Sequence, residues 1–363
     1  MHGGDVVVRS LEEIGATVVF GLPGGQTGPI YDAIGRSSKV RHVLVRDERH
    51  GAYAADAFAR VTGRIGICDA TVGPGATKLP SGLFEALNAS IPVLALVSGL
   101  ETYNFNYAEK GRMSQGIQQL EMLRPVTKRT FRVTNTEKLG ETIRIAAITA
   151  CSGRPGPVAV EFPYDVLQAE VAADAAPAFQ VQAVYPLYPA EPPAGPIAAA
   201  AELLASASRP VIVAGGGVMI SGAAEALTAL AAEYTIPVLT TYTGKGAIAD
   251  SHPMCLGFTG STGIPVNERM ARRADVVLLV GMKSSQNSTF NWTFPEARQR
   301  VIHCDVDPED MNRFFPTEVC LVGDARLTFH KLRDDLARRR QANRVAWSAS
   351  VAAAKQEWQQ IKE

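Results

Sequence analysis

The sequence predicts an α/β protein built from two doubly wound parallel-sheet domains. Three observations carry that expectation. Short apolar runs alternate with stretches of helical spacing along most of the chain, which is the pattern of βα units. Several of these runs end in glycine-rich turns: Gly21-Leu22-Pro23-Gly24-Gly25, Gly73-Pro74-Gly75 and Gly215-Gly216-Gly217. The alternation stops once, in an Ala- and Pro-rich stretch over residues 170–195 with almost no charge, and then starts again. The expected organisation is a first domain over 1–170, a linker over 171–195, a second domain over 196–335 and a helical tail over 336–363.

The elements follow in order. Val6, Val7, Leu11 and Ile14 share one face of a helix over 4–16, and Thr17 to Phe20 form a β-rich run before the first glycine turn. A helix starts near Pro29. Val43-Leu44-Val45 reads as a buried strand with Glu48 just past its end, and the Ala-rich run from Gly51 to Arg60 reads as a helix. A strand over Ile65 to Thr71, a helix over Thr77 to Asn88, and strands at Pro92 to Val97 and Val158 to Phe162 complete the first unit. In the second unit, helices are expected near 196–207 and 221–234, and strands at 210–214, 238–240, 276–280 and 301–305. Residues 326–363 read as helical and charged.

Composition excludes several function classes. The chain is 46% hydrophobic and 20% charged, with 36 Lys plus Arg against 36 Asp plus Glu. A zero formal charge argues against nucleic acid or a membrane surface as a partner drawn by bulk charge. No apolar run approaches the roughly 20 residues of a membrane helix, and the N-terminus has no long apolar core of a signal peptide. The five cysteines are scattered and form no CxxC or Cys/His cluster, so neither zinc nor a disulfide framework is expected, and a cytoplasmic location fits.

In open parallel sheets, ligands gather beyond the carboxyl ends of the strands. The loops Leu22 to Thr27, Arg46 to Arg49 and Thr71 to Lys78 each follow an expected strand and so belong on one edge. Two are glycine-rich, which lets backbone approach a ligand. The third presents Glu48 among Arg46, Asp47 and Arg49. An acid among glycine loops is a candidate for proton handling. The plain structural reading of Glu48 is that it caps the following helix, where a carboxylate is favourable.

The blocks FGLPGGQTGPIYDAI, RDERHGAYAADAFARVTG, TVGPGATKLPSGLFEALNASIPVLAL and QGIQQLEMLRPVTKRTF occur in that order. Together they resemble the pyrimidine-binding domain of the thiamine-diphosphate enzymes that include acetolactate synthase, pyruvate decarboxylase, benzoylformate decarboxylase and 2-hydroxyacyl-CoA lyase. RPVIVAGGGV, IPVLTTYTGKGAIADSHPMCLG, ADVVLLVGMK and VIHCDVDPEDMNR are similar to the Rossmann-like central domain of the same family, so the resemblance spans about residues 4–335. It implies that Glu48 hydrogen-bonds N1′ of the cofactor's aminopyrimidine. The imino tautomer so favoured removes the C2 proton of the thiazolium, and the ylid attacks a pyruvate-like 2-keto acid, with loss of carbon dioxide. The product then takes a proton or joins an acceptor. The resemblance also implies cofactor contacts at Pro23, Gly24, Thr71, Gly73 and Pro74, and substrate contacts at Gly25, Gln26, Thr27, Lys78 and Gln115. Two positions depart from the family. Lys78 stands where Asn is usual and is either a partner for an acidic substrate group or a solvated side chain. Ser114 and Gly116 replace the neighbours expected around Gln115, and Gln118 and Gln119 bring the block closer to the 2-hydroxyacyl-CoA lyases.

The family binds the cofactor's diphosphate through Mg²⁺ with a GDG motif followed by Asn, oxygen ligands suited to octahedral Mg²⁺. The sequence has no GDG, and Val322-Gly323-Asp324 matches the end of the central domain instead. No metal ligands are therefore expected in this chain. The diphosphate and Mg²⁺ are expected on a separate diphosphate-binding subunit, in an α2β2 heterotetramer with self-associating pyrimidine-binding domains. Trp347 and Trp358 near the end of the chain are candidates for a docking helix. In the second domain, Gly215 to Gly217 and Asp305 allow an FAD or ADP site, although a purely structural role is the expectation there, and His303 reads as a core residue. A non-catalytic binding or regulatory homologue is the competing class. A nucleotide-binding oxidoreductase is disfavoured because no GxGxxG opens the first domain.

Overall fold

The computed structural model describes residues 1–108, 112–172 and 181–362. The chain falls into two compact units, Met1–Leu187 and Tyr188–Glu363.

The first unit runs α1 (Gly3–Glu13), β1 (Val18–Gly21), α2 (Gly28–Arg36), β2 (Arg41–Leu44), α3 (Glu48–Thr62), β3 (Gly66–Ala70), α4 (Pro80–Ala89), β4 (Val93–Gly99), α5 (Gln119–Leu123), β5 (Arg129–Arg132), α6 (Leu139–Cys151), β6 (Val158–Pro163) and α7 (Tyr164–Gln168). Its six strands pair in the order β2-β1-β3-β4-β6-β5, all in parallel. The interior strands β3, β4 and β6 are buried at every position. Helices cover both faces of such a sheet, so its inner strands read as continuous apolar runs. The expectation that Val43 to Val45 form a buried strand does not hold: β2 is an edge strand and Leu44 is 66% exposed. The other edge, β5 (Arg-Thr-Phe-Arg), had no element assigned to it from the sequence.

α3 shows how the sequence shapes the site. Asp47 caps it by accepting from the Arg49 N–H at 2.9 Å, and Gly63 ends it in the left-handed region at φ +68°. Its buried face is Gly51, Ala52, Ala55 and Ala59. Small residues bring the helix axis close to the sheet: a Cβ on Gly51 would stand 2.9 Å from the Phe20 carbonyl oxygen. That close packing fixes the start of α3 beside the end of β1.

The second unit runs α8 (Ala194–Ser206), β7 (Pro210–Ala214), α9 (Gly216–Ile220), α10 (Ala224–Glu233), β8 (Val238–Thr240), β9 (Cys255–Phe258), α11 (Pro265–Arg273), β10 (Val276–Val280), β11 (Arg300–Asp305), β12 (Val319–Val322), α12 (Ala325–Leu336) and α13 (Val345–Lys362). Its sheet order is β12-β11-β10-β7-β8-β9, again parallel throughout. Leu278 and Ile302 face one layer with Phe329, while Val277 and Leu279 face the other with Trp347. The helix expected over 221–234 is preceded by the short α9, with Gly222 at φ +63° between α9 and α10.

Two expectations about the connecting and terminal segments change. Residues 173–180 of the expected linker lie outside the described residues. The next few pack on the first unit: Ala183 donates to the Ile14 carbonyl, Tyr185 N–H to that of Gly63, and the Tyr185 hydroxyl to that of Ala59 at 2.7 Å. Trp347 is not available for docking. It is 2% exposed, packs with Val351 and Ala354 in the second unit's core, and donates its indole N–H to the Pro210 carbonyl at 2.9 Å. Among the described residues, no helix is long and apolar enough to cross a membrane.

Candidate active site

The first sheet reverses direction between β1 and β3: the chain goes outward from β1 to β2 and then returns to β3 on the other side. A crevice at such a switch point is where doubly wound sheets bind ligands. The three loops picked from the sequence follow β1, β2 and β3 and flank this point.

Glu48 opens α3, yet the cap is Asp47. Its position is therefore not explained by capping. The side chain is 4% exposed, and Oε2 is buried without a hydrogen-bond partner. The Lys78 ammonium stands 3.4 Å from that oxygen and 3.6 Å from Asp47 Oδ2, an ion pair with both acids. The other oxygen, Oε1, lies against Gly75, where a Cβ would come within 2.9 Å of it. A buried acceptor without a hydrogen bond is costly; Oε2 has the Lys78 ammonium beside it, and it is Oε1 that faces the residue without a side chain.

The structure brings several of the surrounding residues together, with one exception. Thr71 donates to Gln26 Oε1 at 3.2 Å, and its side chain fills the space that a Cβ on Gly24 would take, at 2.5 Å. Gly73 adopts φ +65° and abuts the Gln115 backbone carbonyl, 2.1 Å from where a Cβ would be. Gln115 itself is exposed, with φ +61°. Pro23, Gly25 and Pro74 are exposed on the loop surfaces. Thr27 is the exception. It is fully buried, and its hydroxyl accepts from the Gly24 N–H at 2.8 Å and donates to the Gly24 carbonyl at 3.0 Å. That hydroxyl closes the turn and is not presented to a substrate.

Two buried polar networks went unseen in the sequence. In the first, Tyr31 donates to Asp69 Oδ1 at 2.7 Å and meets His42 Nε2 at 3.1 Å, and His42 Nε2 is 3.1 Å from the Gly21 carbonyl. Asp69 is 1% exposed, and its Oδ2 is buried without a partner. Burial pushes the Asp69 carboxyl up to about 7, the Tyr31 hydrogen bond opposes that rise, and the charge of Glu48 adds to it. Burial also raises the Tyr31 hydroxyl, helped by the Asp69 charge, and lowers His42. In the second network, Gln119 accepts from the Gly73 N–H at 3.3 Å and donates to Glu161 Oε1 at 2.7 Å, while Arg132 pairs with the other Glu161 oxygen. A cavity of about 620 Å³ lies at this second network, with Phe105, Leu120, Arg124, Arg132 and Glu161 in its wall. The sequence signal for Asp69 was an acid inside an otherwise apolar strand. Gln119 and Glu161 join only through long-range contact.

The glycine loop of the second unit is closed. Gly215 N–H donates to the Val280 carbonyl and Gly217 N–H to that of Gly281 at 2.8 Å. Those two amides are used inside the fold and do not point toward a phosphate. His303 is fully buried, and burial lowers its pKa. Among the described residues, no group of three or more His, Cys, Asp or Glu side chains is placed to hold a metal ion.

Two family models match the chain: "Thiamine pyrophosphate enzyme, N-terminal TPP binding domain" over residues 1–122 and "Thiamine pyrophosphate enzyme, central domain" over residues 197–332. Among curated relatives, the probable acetolactate synthase large subunit of Methanocaldococcus jannaschii is 38% identical over 339 residues, covering 93% of this chain and 56% of that protein. The acetolactate synthase large subunit of Corynebacterium glutamicum is 38% identical over 338 residues, 92% of this chain and 52% of that one. Acetolactate synthase isozyme 3 large subunit of Escherichia coli is 32% identical over 348 residues, 93% and 58%. The chain spans about half the length of the curated relatives it matches.

Proposed function

Because this chain belongs to the thiamine pyrophosphate enzymes, whose N-terminal binding domain and central domain it carries, we propose that it works in a thiamine-diphosphate-dependent carboligase of the acetolactate synthase kind. In that reading the enzyme decarboxylates a pyruvate-like 2-keto acid and joins the acyl fragment to an acceptor, and Glu48 is the acid that activates the cofactor. The observation that carries the proposal is the buried, donor-less Oε2 of Glu48 at the start of a helix that another residue caps.

The residues present fit the group. An orphaned acceptor suits a ring N–H, and the glycine loops beside it expose Pro23, Gly25 and Pro74 at the sheet edge. Pro23, Gly24, Thr71, Gly73 and Pro74 would line the aminopyrimidine. When bound, thiamine diphosphate supplies the nucleophilic carbon and the electron sink needed to break a bond next to a carbonyl. Glu48 would hold or exchange a proton at its buried Oε2, facing the aminopyrimidine. The diphosphate and its Mg²⁺ are held, in this proposal, by a diphosphate-binding unit outside these 363 residues, a separate subunit of an α2β2 heterotetramer. The closed Gly215–Gly217 loop supports a structural role there over an FAD or ADP site. Five free cysteines support work in a reducing compartment.

Gly25, Gln26, Lys78 and Gln115 are proposed at the substrate. Lys78 is the one cation among them; in the cofactor-free chain it pairs with Glu48 and Asp47. With Glu48 turned to the cofactor, that ammonium would be left with Asp47 and could reach the carboxylate of a 2-keto acid. Lys78→Met is expected to raise KM for the keto acid roughly 10- to 100-fold with little change in kcat, the size of a charged hydrogen bond. Lys78→Arg should recover part of the loss, and an unchanged KM in the Met variant would remove Lys78 from the substrate site.

The test of the whole reading is co-expression with a diphosphate-binding unit carrying GDG and a following Asn, roughly 180–200 residues as one more α/β domain requires. Carbon dioxide release from pyruvate, dependent on thiamine diphosphate and Mg²⁺, is expected. A stable complex without turnover on any 2-keto acid favours the non-catalytic homologue instead.

A further inference from the structure

We propose that Asp69 is a second acid of this site, a positioning residue that acts through Glu48. Its buried carboxyl keeps its proton, and with Tyr31 and His42 it ties β1, β2, α2 and β3 together where their loops meet. The proposal rests on the reading of Glu48 given above, and its test does not.

The geometry is a count of partners. Glu48 and Asp69 are both buried, and each has one oxygen without a hydrogen bond. Glu48 has a cation, Lys78, at 3.4 Å. Among the described residues the Asp69 carboxyl has one hydrogen-bond partner, the neutral Tyr31 hydroxyl at 2.7 Å. Among the described residues no cation pairs with Asp69, and the Lys78 ammonium already serves Glu48 and Asp47, so a buried charge at Asp69 would have nothing to offset its lost hydration. The proton stays on Asp69.

The groups that bear on Asp69 can be named element by element. Tyr31 of α2 touches it, His42 of β2 reaches it through Tyr31, and Glu48 of α3 acts on it by charge. The neighbouring Cys68 thiol is buried and raised, and so neutral. β1 contributes Gly21, whose missing side chain is what admits the acid: a Cβ there would lie 1.5 Å from Asp69 Oδ1. The chain of bonds from the Gly21 carbonyl through His42 and Tyr31 to Asp69 thus joins the ends of β1 and β3 on either side of the switch point. Loss of the proton would put two charges in the pair and strain this joint.

The linkage has a definite sign. A carboxyl raised from 3.8 to about 7 in the fold binds its proton more tightly there than in the unfolded chain. Its contribution to stability is full below pH 3.8 and is lost as pH rises to about 7.

The experiment uses the 363-residue chain labelled with ¹³C at its carboxyl groups and followed by NMR from pH 4 to 9. One aspartate resonance, absent in Asp69→Asn, is expected to titrate well above the ordinary carboxylate range. Glu48→Gln should move it down by about one unit or more, as a coupled pair requires. Tyr31→Phe should move it up, because the bond to the charged form is gone. Melting of Asp69→Asn against the unsubstituted chain should improve between pH 5 and pH 8 by roughly 3 °C or more. An Asp69 that titrates near 4, or one that ignores Glu48→Gln, overturns the proposal and leaves the assignment of Glu48 untouched. Full turnover of Glu48→Gln with a raised, coupled Asp69 overturns that assignment and leaves the pair.

Discussion

Replacing Glu48 with Gln is expected to lower turnover of the complete enzyme by roughly 10²–10⁴-fold, the usual weight of a positioned acid–base group, while leaving fold and assembly intact. The substitution keeps shape and removes only the ability to exchange a proton. Its cost to stability should be small for three reasons. Oε2 makes no hydrogen bond in the chain. The ion pair it loses is with the half-exposed Lys78, and such pairs contribute little. The helix cap is Asp47, which stays. Asp47→Ala is the mirror case: it removes a cap, with about 0.5–2 kcal/mol lost in stability. Carbon dioxide release, gel filtration and thermal melting on the two variants separate the roles. A fully active Glu48→Gln enzyme ends the proposed mechanism, and a Glu48→Gln chain that no longer folds makes Glu48 a structural acid.

How much of this was legible beforehand depends on where each signal resides. The interior strands β3, β4, β6, β7 and β10 read clearly because both their faces are covered and the runs are mostly apolar, even with Asp69 in β3 and Glu161 in β6. The strands β5, β9 and β12 did not. β5 and β9 close their sheets with mixed exposure, and β12 alternates on the opposite edge. Trp347 was misread because Arg and Gln crowd the sequence before it. Its own period, Trp347, Val351 and Ala354 at i, i+4 and i+7, is that of a helix face turned to a core. At the site, the glycine loops and Glu48 were found because strand ends and turns are local features. Thr27 looked exposed to substrate because it follows a glycine turn, yet a hydroxyl three residues after Gly24 is placed to close that turn. Asp69, Tyr31 and His42 are separated by 11 to 38 residues, and only the fold makes them one group.

The second large effect is expected from Gly75→Ala. Gly75 has φ −67° and ψ −51°, which alanine adopts freely, so backbone strain plays no part. The cost is steric. The new Cβ would lie 2.8 Å from the Thr71 carbonyl oxygen, 2.9 Å from Glu48 Oε1 and 3.0 Å from Thr71 Cγ2. The carbonyl is backbone and yields little, so the loop shifts and the Glu48 carboxyl turns away with it. Overpacking of this kind costs about 1–3 kcal/mol in stability. An ångström of misplacement at a reacting group costs about 10²-fold in rate. Gly25→Ala provides the stability control, because a Cβ there meets nothing within 4 Å. The telling measurement is the double variant. If Gly75 acts on turnover by keeping room for the Glu48 carboxyl, then Gly75→Ala placed on Glu48→Gln should reduce turnover little further, since the group it displaces is already disabled. Two losses that simply multiply would mean that Gly75 serves the reaction by another route, through close approach of the loop backbone to the cofactor, and that Glu48 and Gly75 do not form one unit.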